Sequence, residues 1–399
     1  MRLFLVILVF IALILQEILR VYFIMPFPGS QEDETIQIAY FIHNNLIYFR
    51  LIGIVLVLYL AYPFLSKGSS VVKITLSVVL GFYGVVFYMF NYRFLADKMF
   101  LQPKTVLFLD VKENKVPDKQ LVLGVTIRDE SKAYPIEIIG YHHQLRDVVG
   151  GEAIMVTYCT VCRTGRVFRP IVDGKIRSFR LVGMDHYNAM FEDAETKSWW
   201  RQVNGEAIVG PLTGKKLEEV SAAQMTLAMW KNLHPDTKIL QQDSAFLSAY
   251  KELEKYDEGT RTGRLERKDS LSWQDKSWVI GVQVGMDSRA YDWVEMQKVR
   301  VVNDELGGAP LLVLADPDSV SFHSFGRILD NDTLTFSLDD KSTNLKDNKT
   351  GSTWNWSGVC VTGALQGISL APVQCYQEYW HSWRTFRPQT SKYASVPNP

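Results

Sequence analysis

The hydrophobic and polar positions divide this chain into two parts of different character. Residues 1–98 hold long, almost unbroken apolar runs, whereas later residues form short apolar or alternating runs between glycine turns. An apolar run of about 20 residues is long enough to cross a bilayer as a helix. Short runs rich in β-branched residues are typical of strands. The pattern therefore predicts a membrane region followed by a β-rich soluble region.

The apolar runs predict three transmembrane helices, at about residues 3–25, 49–65 and 71–92. The first run is longer than the apolar part of a signal peptide, and no small-residue cleavage site follows it. Glu17 and Arg20 interrupt this run three residues apart. We therefore expect them to lie on one helix face and to pair with each other.

Charged residues beside these runs predict the orientation of the chain in the membrane. Arg2 precedes the first run, Lys67 and Lys73 flank the short turn between the second and third, and residues 32–34 are acidic. By the positive-inside rule, the N-terminus and the short turn are cytoplasmic. We therefore expect a multi-pass protein of the inner (cytoplasmic) membrane, with its soluble part facing the periplasm or exterior.

The soluble part contains an internal repeat. Val122-Leu123-Gly124-Val125 recurs as Val279-Ile280-Gly281-Val282, and glycine, tryptophan, proline and aspartate positions follow in the same order in both copies. The matched pairs include Asp147 with Asp304, Gly150 with Gly307, Trp200 with Trp354, Trp230 with Trp383 and Pro235 with Pro388. We therefore predict an α+β, β-rich fold in which a soluble unit is duplicated in tandem after the three helices.

The repeat sets the predicted domain boundaries. The membrane region covers residues 1–98, the first repeat 99–245, a charged and exposed connector 246–276, and the second repeat 277–399. Within the first repeat we expect strands over residues 154–158, 167–172 and 176–182, a hairpin turn at Asp173-Gly174 and a helix over residues 222–233.

Composition excludes some classes of function. The chain has 43 basic and 43 acidic residues, so its zero net charge gives no electrostatic argument for a nucleic-acid partner. Its four cysteines are too few for a disulfide framework. The expected partners are the lipid bilayer, through the N-terminal helices, and an unidentified membrane or periplasmic protein.

The densest group of reactive side chains lies within residues 134–168. It contains the adjacent His142 and His143 and the Cys-x-x-Cys pair Cys159 and Cys162. The second repeat has Val299, Arg300, Asp316 and Ser319 at the matching positions. Because Arg300, Asp316 and Ser319 are not substitutes for a core residue, we assign the chemistry to the first repeat.

Thiolate and imidazole together suit a transition metal such as copper, zinc or iron. We therefore expect Cys159, Cys162 and His142 to bind a transition metal or a metal cofactor. Adjacent residues on a strand point to opposite faces, so we expect His143 to face away. His143 and His186 are further candidate ligands, and Arg163 could stabilise a thiolate.

Two other interpretations stay open. The cysteine pair could be the cycling dithiol of a periplasmic thiol-disulfide oxidoreductase. Alternatively, the protein is a non-catalytic binding or scaffold module, and the pair is a structural disulfide. We also expect a structural disulfide between Cys360 and Cys375, and a surface or packing role for His381.

Several motifs occur together in residues 100–395. They are Tyr141-His142, Arg146-Asp147, Gly150-Gly151, Val156-Thr157-Tyr158-Cys159-x-x-Cys162, Asp193-x-Glu195-Thr196, Gly210-Pro211-Leu212-x-Gly214 and His234-Pro235-Asp236-Thr237. This combination resembles the signature of the DUF3179 proteins and covers nearly all of the soluble part. The resemblance implies a bacterial or archaeal protein that is exported or membrane-attached. Because the function of the family is uncharacterised, the resemblance implies no reaction.

Overall fold

The computed structural model describes residues 1–261, 263–339 and 343–394. Its α-helices are α1 (Arg2–Tyr22), α2 (Ile36–Lys67), α3 (Ser70–Tyr88), α4 (Ala96–Met99), α5 (Ile136–His142), α6 (Leu227–Leu233), α7 (Leu247–Glu252), α8 (Trp293–Val299) and α9 (Trp380–Phe386). A π-helical turn, Met89–Arg93, extends α3, and a 3-10 turn, Ser244–Phe246, precedes α7.

The strands are short and follow one another closely. Up to residue 240 they are β1 (Phe108–Asp110), β2 (Leu121–Ile127), β3 (Glu130–Pro135), β4 (Gln144–Val149), β5 (Glu152–Cys159), β6 (Thr164–Arg169), β7 (Ile171–Val172), β8 (Lys175–Ile176), β9 (Phe179–Asp185), β10 (Asn188–Asp193), β11 (Trp199–Arg201), β12 (Ala207–Val209), β13 (Glu218–Val220), β14 (Ala223–Thr226) and β15 (Lys238–Leu240). After it they are β16 (Trp278–Val284), β17 (Asp287–Asp292), β18 (Val301–Leu306), β19 (Ala309–Ala315), β20 (Phe322–Gly326), β21 (Ile328–Leu329), β22 (Asp332–Thr333), β23 (Phe336–Leu338), β24 (Leu345–Asp347), β25 (Thr353–Trp354), β26 (Cys360–Thr362), β27 (Cys375–Tyr379) and β28 (Ser391–Lys392).

The described residues divide into two compact units. Unit 1 comprises residues 1–101, 177–201 and 206–216, and unit 2 comprises the other described residues. Unit 1 contains α1–α4 and a four-stranded sheet in the order β12-β11-β10-β9. Unit 2 contains the cysteine pair and the rest of the β-structure.

Three helices of unit 1 are long and apolar enough to cross a membrane: Arg2–Tyr22, Ile36–Lys67 and Ser70–Arg93. This confirms the prediction of three candidate membrane spans. The second helix begins at Ile36, earlier than the apolar run that starts at about residue 49. The more polar residues that precede this run are helical as well. Asn44 and Asn45 donate side-chain hydrogen bonds to backbone carbonyls one turn earlier, at 3.0 and 2.9 Å.

The expected pair between Glu17 and Arg20 is wrong. Glu17 is completely buried and accepts hydrogen bonds from Arg50 Nε and Nη2 at 2.6 and 2.5 Å. Asn91 Nδ2 also donates to Glu17, at 2.9 Å, and Arg20 donates to Asn91 Oδ1 instead. A bidentate contact with a guanidinium is stronger than a single hydrogen bond, which favours Arg50 as the partner.

Unit 2 is built from several small, mainly antiparallel sheets. The two larger sheets that contain residues of the first predicted repeat have the orders β1-β15-β3-β2-β14 and β13-β6-β5-β4. The others are β27-β16-β17-β28, β18-β19-β20, β23-β24-β25-β26 and the hairpins β7-β8 and β21-β22. An apolar core that includes Leu123, Tyr134, Ile139, Val156 and Tyr250 fills the space around α5.

Elements recur in the same order along unit 2. The order β2-β3-α5-β4-β5-β6 is followed by β16-β17-α8-β18-β19-β20. In both runs a tyrosine hydroxyl donates to an aspartate at 2.7 Å, from Tyr134 to Asp147 and from Tyr291 to Asp304.

A glycine and a tryptophan also pack alike in the two runs. A Cβ atom at Gly124 would overlap the ring of Trp230, and a Cβ atom at Gly281 would overlap the ring of Trp383. Only glycine therefore lets each tryptophan lie flat on its strand.

The local predictions for the first repeat hold in part. The Asp173-Gly174 turn is confirmed, because β7 and β8 pair on either side of it and both turn residues have positive φ. The helix predicted over residues 222–233 begins only at Leu227. The residues before it form β14, and Thr226 Oγ1 accepts a hydrogen bond from Met229 N as the helix cap.

Candidate functional site

The cysteine pair lies in the tight turn that joins β5 to β6. Cys159 is the last residue of β5 and pairs with Thr164, the first residue of β6. Arg163 closes the turn in the left-handed conformation, with φ of 57°. Cys159 and Cys162 are both 0% exposed. The two side chains interact with each other in the protein interior, since Cys159 raises the pKa of the Cys162 thiol.

Every carbonyl of the turn between Cys159 and Arg163 accepts a hydrogen bond from a distant part of unit 2. Thr160 O accepts from the hydroxyl of Tyr256 at 2.9 Å, and Cys162 O accepts from Tyr379 N at 2.9 Å. Val161 O lies 2.6 Å from Lys276 Nζ and 3.2 Å from His381 Nε2. The turn is thus held by residues that come after the first predicted repeat.

The charge on the cysteine pair depends on these neighbours. Burial raises the pKa of the Cys162 thiol well above its usual value, and so does its hydrogen bond with Cys159. Lys276 and Ser382 act in the opposite direction, because an ammonium group and a hydroxyl donor both favour the thiolate. The Cys162 thiol is therefore protonated at rest, and Lys276 provides a counter-charge for its ionised form.

Arg163 provides a second buried cation next to the pair. Its guanidinium lies 3.7 Å above the ring of Trp278 and donates to Gln377 Oε1 at 2.7 Å. It also donates to the backbone carbonyls of Tyr256 and Asp257, both at 3.2 Å. Each of these acceptors is a neutral oxygen atom, so none of them cancels the positive charge of the side chain.

The two adjacent histidines lie at the end of α5 and not on a strand, so that part of the prediction is wrong. His142 is buried and its Nε2 lies 2.7 Å from the hydroxyl of Tyr250. His143 caps the helix with φ of 62°, and its Nδ1 lies 3.1 Å from Tyr141 O. Burial lowers the pKa of His143 to about 4. Both imidazole rings are therefore fixed by contacts within α5 and with α7.

The remaining candidates lie elsewhere. His186 belongs to unit 1, where its Nδ1 lies 2.7 Å from Asp185 Oδ1. The expected disulfide between Cys360 and Cys375 is wrong, because both of these described cysteines are thiols. Cys360 packs in the apolar cluster around Trp354, whereas Cys375 packs beside a different cluster around Tyr379.

Sequence reasoning missed the side chains that surround the cysteine turn. Lys276 and Tyr256 fall in the predicted exposed connector, yet Tyr256 is 1% exposed. His381 and Ser382 lie on α9, in the repeat to which no chemistry was assigned. In the sequence, the aromatic residues Tyr250 and Tyr256 within an otherwise charged segment could have indicated that part of the connector is buried.

The arrangement supports chemistry by a pair of adjacent thiols. Among the residues that the structure describes, no group of three or more His, Cys, Asp or Glu side chains is arranged to hold a metal ion. Cys159 and Cys162 interact with each other within their turn. Two adjacent thiols can bind a soft metal or lose two electrons to form a disulfide.

Comparison with known proteins gives one match. The model of the family described as "Protein of unknown function (DUF3179)" matches residues 104–390. No curated protein and no solved structure matches the chain.

Proposed function

Since the chain belongs to the DUF3179 family, whose description states no activity, we propose a function from the site itself. The protein is a membrane-anchored thiol-disulfide protein in which Cys159 and Cys162 cycle between a dithiol and a disulfide. Three helices that could span a membrane support the anchoring. The paired, buried thiols support the redox chemistry.

The observation that carries the proposal is the pair of cations beside the cysteine turn, of which Arg163 is buried and Lys276 is partly buried. Arg163 follows Cys162 directly, and Lys276 Nζ donates to Val161 O between the two cysteines. A thiolate is the reactive form of cysteine, and nearby positive charge favours it. The same charge repels a metal cation. A cationic environment therefore suits a transient thiolate better than it suits a bound transition metal.

The reaction is a thiol-disulfide exchange with a disulfide as the electron acceptor. One thiolate attacks a sulfur atom of the acceptor, its S–S bond breaks, and one thiolate leaves. The second cysteine then attacks the mixed disulfide, which forms the Cys159–Cys162 bond and releases the second thiolate. The pair loses two electrons and two protons, and the acceptor disulfide becomes two thiols.

A redox titration of the full-length protein tests this proposal. Cys360→Ser and Cys375→Ser are introduced so that Cys159 and Cys162 are the only thiols that can be alkylated. The alkylated fraction is then measured in a series of thiol-disulfide buffers of different redox potential. We expect one reversible two-electron transition, which Cys159→Ser or Cys162→Ser abolishes. The transition-metal site predicted with His142 stays a prediction. Stoichiometric metal that disappears in Cys159→Ser, with no reversible transition, would overturn the redox proposal in its favour.

We also propose that the soluble part faces the outside of the cytoplasmic membrane. Arg2, Lys67 and Lys73 beside the candidate spans support this orientation. A thiol-disulfide function agrees with it, because disulfides persist in oxidising compartments. Labelling of intact cells with a membrane-impermeant reagent at a cysteine placed at exposed Met286 tests the orientation. Labelling only after cell lysis would contradict it.

A tandem duplication of the soluble unit is the third part of the proposal. It is supported by the recurring order of elements and by the matched Tyr134–Asp147 and Tyr291–Asp304 hydrogen bonds. The first repeat spans residues 99–245, and the second repeat spans residues 277–399. In this arrangement the second repeat lacks the cysteines but contributes Tyr379 and His381 to the contacts that hold their turn.

A further inference from the structure

The cysteine turn has one side that is not closed by buried residues. Tyr256 and Tyr379, which bond to Thr160 O and Cys162 O, are buried. Lys276 and His381, which bond to Val161 O, are only partly buried. A reactant that approaches the two sulfur atoms from solvent therefore meets these two side chains first.

Both basic and acidic side chains lie near this approach: Lys276 and Arg384 are basic, and Glu266 and Asp275 are acidic. Lys276 Nζ lies 3.1 Å from His381 Nε2, and the ammonium group also lies 4.6 Å from the centre of the Tyr379 ring. Burial lowers the pKa of His381 to about 3, and Lys276 acts in the same direction, so the imidazole is neutral at physiological pH. The charged group that contacts the cysteine turn at Val161 O is therefore the Lys276 ammonium rather than His381.

The depth of the sulfur atoms limits the size of the reactant. Cys159 and Cys162 have no exposed surface, and all three carbonyls of their turn are hydrogen-bonded to other segments. A disulfide within a folded protein would have to break these bonds to reach a sulfur atom. A small molecule displaces fewer of these contacts, because Lys276 and His381 are the partly buried members of the set.

We propose that the redox partner of the pair is a small anionic disulfide or thiol, such as one bearing carboxylates, and that Lys276 selects it. This inference rests on the proposed dithiol function and names the substrate class of the same site. A carboxylate of the reactant contacts the Lys276 ammonium while a cysteine thiolate attacks its S–S bond. The electron and proton balance is that of the exchange described above.

Three small disulfides of different charge test the inference on the full-length protein in a neutral detergent. They are dithiodiglycolate, which is anionic, cystamine, which is cationic, and bis(2-hydroxyethyl) disulfide, which is neutral. The protein carries Cys360→Ser and Cys375→Ser, and alkylation reports the oxidation of Cys159 and Cys162. Each rate is divided by the rate at which the same disulfide oxidises a small reference dithiol, which removes differences in intrinsic reactivity.

We expect dithiodiglycolate to react about tenfold or more faster than cystamine at low salt, because a fixed charge at an entrance concentrates the opposite charge. High salt reduces this ratio. Lys276→Gln, which can still donate to Val161 O, brings the ratio close to one, and Lys276→Arg retains it. Lys298→Gln, at an exposed lysine on α8, is the matched control and leaves the ratio unchanged.

The outcomes separate this inference from the proposed function. Equal normalised rates for the three disulfides, or a faster reaction with a disulfide in a folded protein, overturn the substrate class while the dithiol function stands. If none of the disulfides oxidises the pair in the folded protein, although all oxidise it in the denatured chain, both proposals are wrong.

Discussion

Arg166 on β6 and Glu378 on β27 form an ion pair in which both side chains are completely buried. Each charge has a further hydrogen bond, since Arg166 Nε donates to Val203 O at 3.1 Å and Ser382 donates to Glu378 at 2.9 Å. A buried ion pair is tolerated only when its remaining polar atoms are satisfied in this way. The pair thus connects the strand after the cysteine turn to the segment that carries His381.

Removing one member of this pair should be strongly destabilising. Glu378→Ala removes the buried counter-charge of Arg166 and leaves the 3.5 Å contact with the partly exposed Glu219. We expect the free energy of unfolding to fall by about 3 kcal/mol. Denaturant unfolding of the full-length protein in detergent, followed by tryptophan fluorescence, measures this. Lys119→Ala, which removes an exposed pair with Glu258, is the control and should change stability by less than about 1 kcal/mol. Equal losses in the two variants would contradict the expectation.

The glycines under the two tryptophans make a second, paired prediction. Gly124→Ala forces a methyl group into the ring of Trp230, and Gly281→Ala does the same to Trp383. Overpacking of this kind lowers stability by about 1–3 kcal/mol, and we expect losses of similar size at the two sites. Gly326→Ala on β20, where a Cβ atom has an open environment, is the control. A loss at only one of the two sites would argue against a duplicated frame.

The three long apolar helices and the Asp173-Gly174 hairpin could be predicted because each is encoded by neighbouring residues. Apolar runs and turn residues act over a few positions. The order of elements recurs where the sequence pattern recurs, and a tandem duplication is our proposal for that recurrence. The cysteine pair could be found from its local spacing, whereas its burial could not.

The surroundings of the cysteine pair could not be predicted, because they depend on contacts between distant residues. Lys276 and His381 reach Val161 O from 115 and 220 positions away. No periodicity relates such positions, and their types, lysine and histidine, are typical of a surface. His142 was placed on a strand because its helix, α5, is too short to show a helical pattern.

The carboxylate of Asp257 makes the stability of the protein depend on pH. Its Oδ2 accepts a hydrogen bond from Leu121 N at 2.9 Å, whereas its Oδ1 is enclosed and has no hydrogen-bond partner in the described part of the chain. Burial raises the pKa of Asp257 to about 6. In an unfolded chain an aspartate has a pKa of about 3.9, so the folded state binds this proton more tightly. Its contribution to stability is therefore present at low pH and is lost as the pH rises through 6.

Asp257→Asn should remove this loss, because the amide is neutral at every pH and its oxygen can still accept from Leu121 N. We expect the variant to be more stable than the original protein at pH 8, by about 1–3 kcal/mol, and to differ little from it at pH 4. Denaturant unfolding at the two pH values measures the difference. Glu252→Gln, at an exposed residue at the end of α7, is the control. A gain of equal size at both pH values would contradict the assignment to the Asp257 proton.

The pairing of Glu17 with Arg50 predicts that two substitutions together are milder than one. Arg50→Gln leaves the Glu17 carboxylate buried among the helices without its cation, which lowers stability by about 3 kcal/mol or more. Glu17→Gln combined with Arg50→Gln replaces the ion pair by two neutral amides and should recover most of that loss. Thermal unfolding of the full-length protein in detergent compares the single and double variants. Arg93→Gln, at an exposed arginine at the end of the third candidate span, serves as the control. The contrary result is that the stability losses of the two single variants simply add in the double variant. That result would show that Glu17 and Arg50 do not stabilise each other, and Asn91 would be the main partner of Glu17.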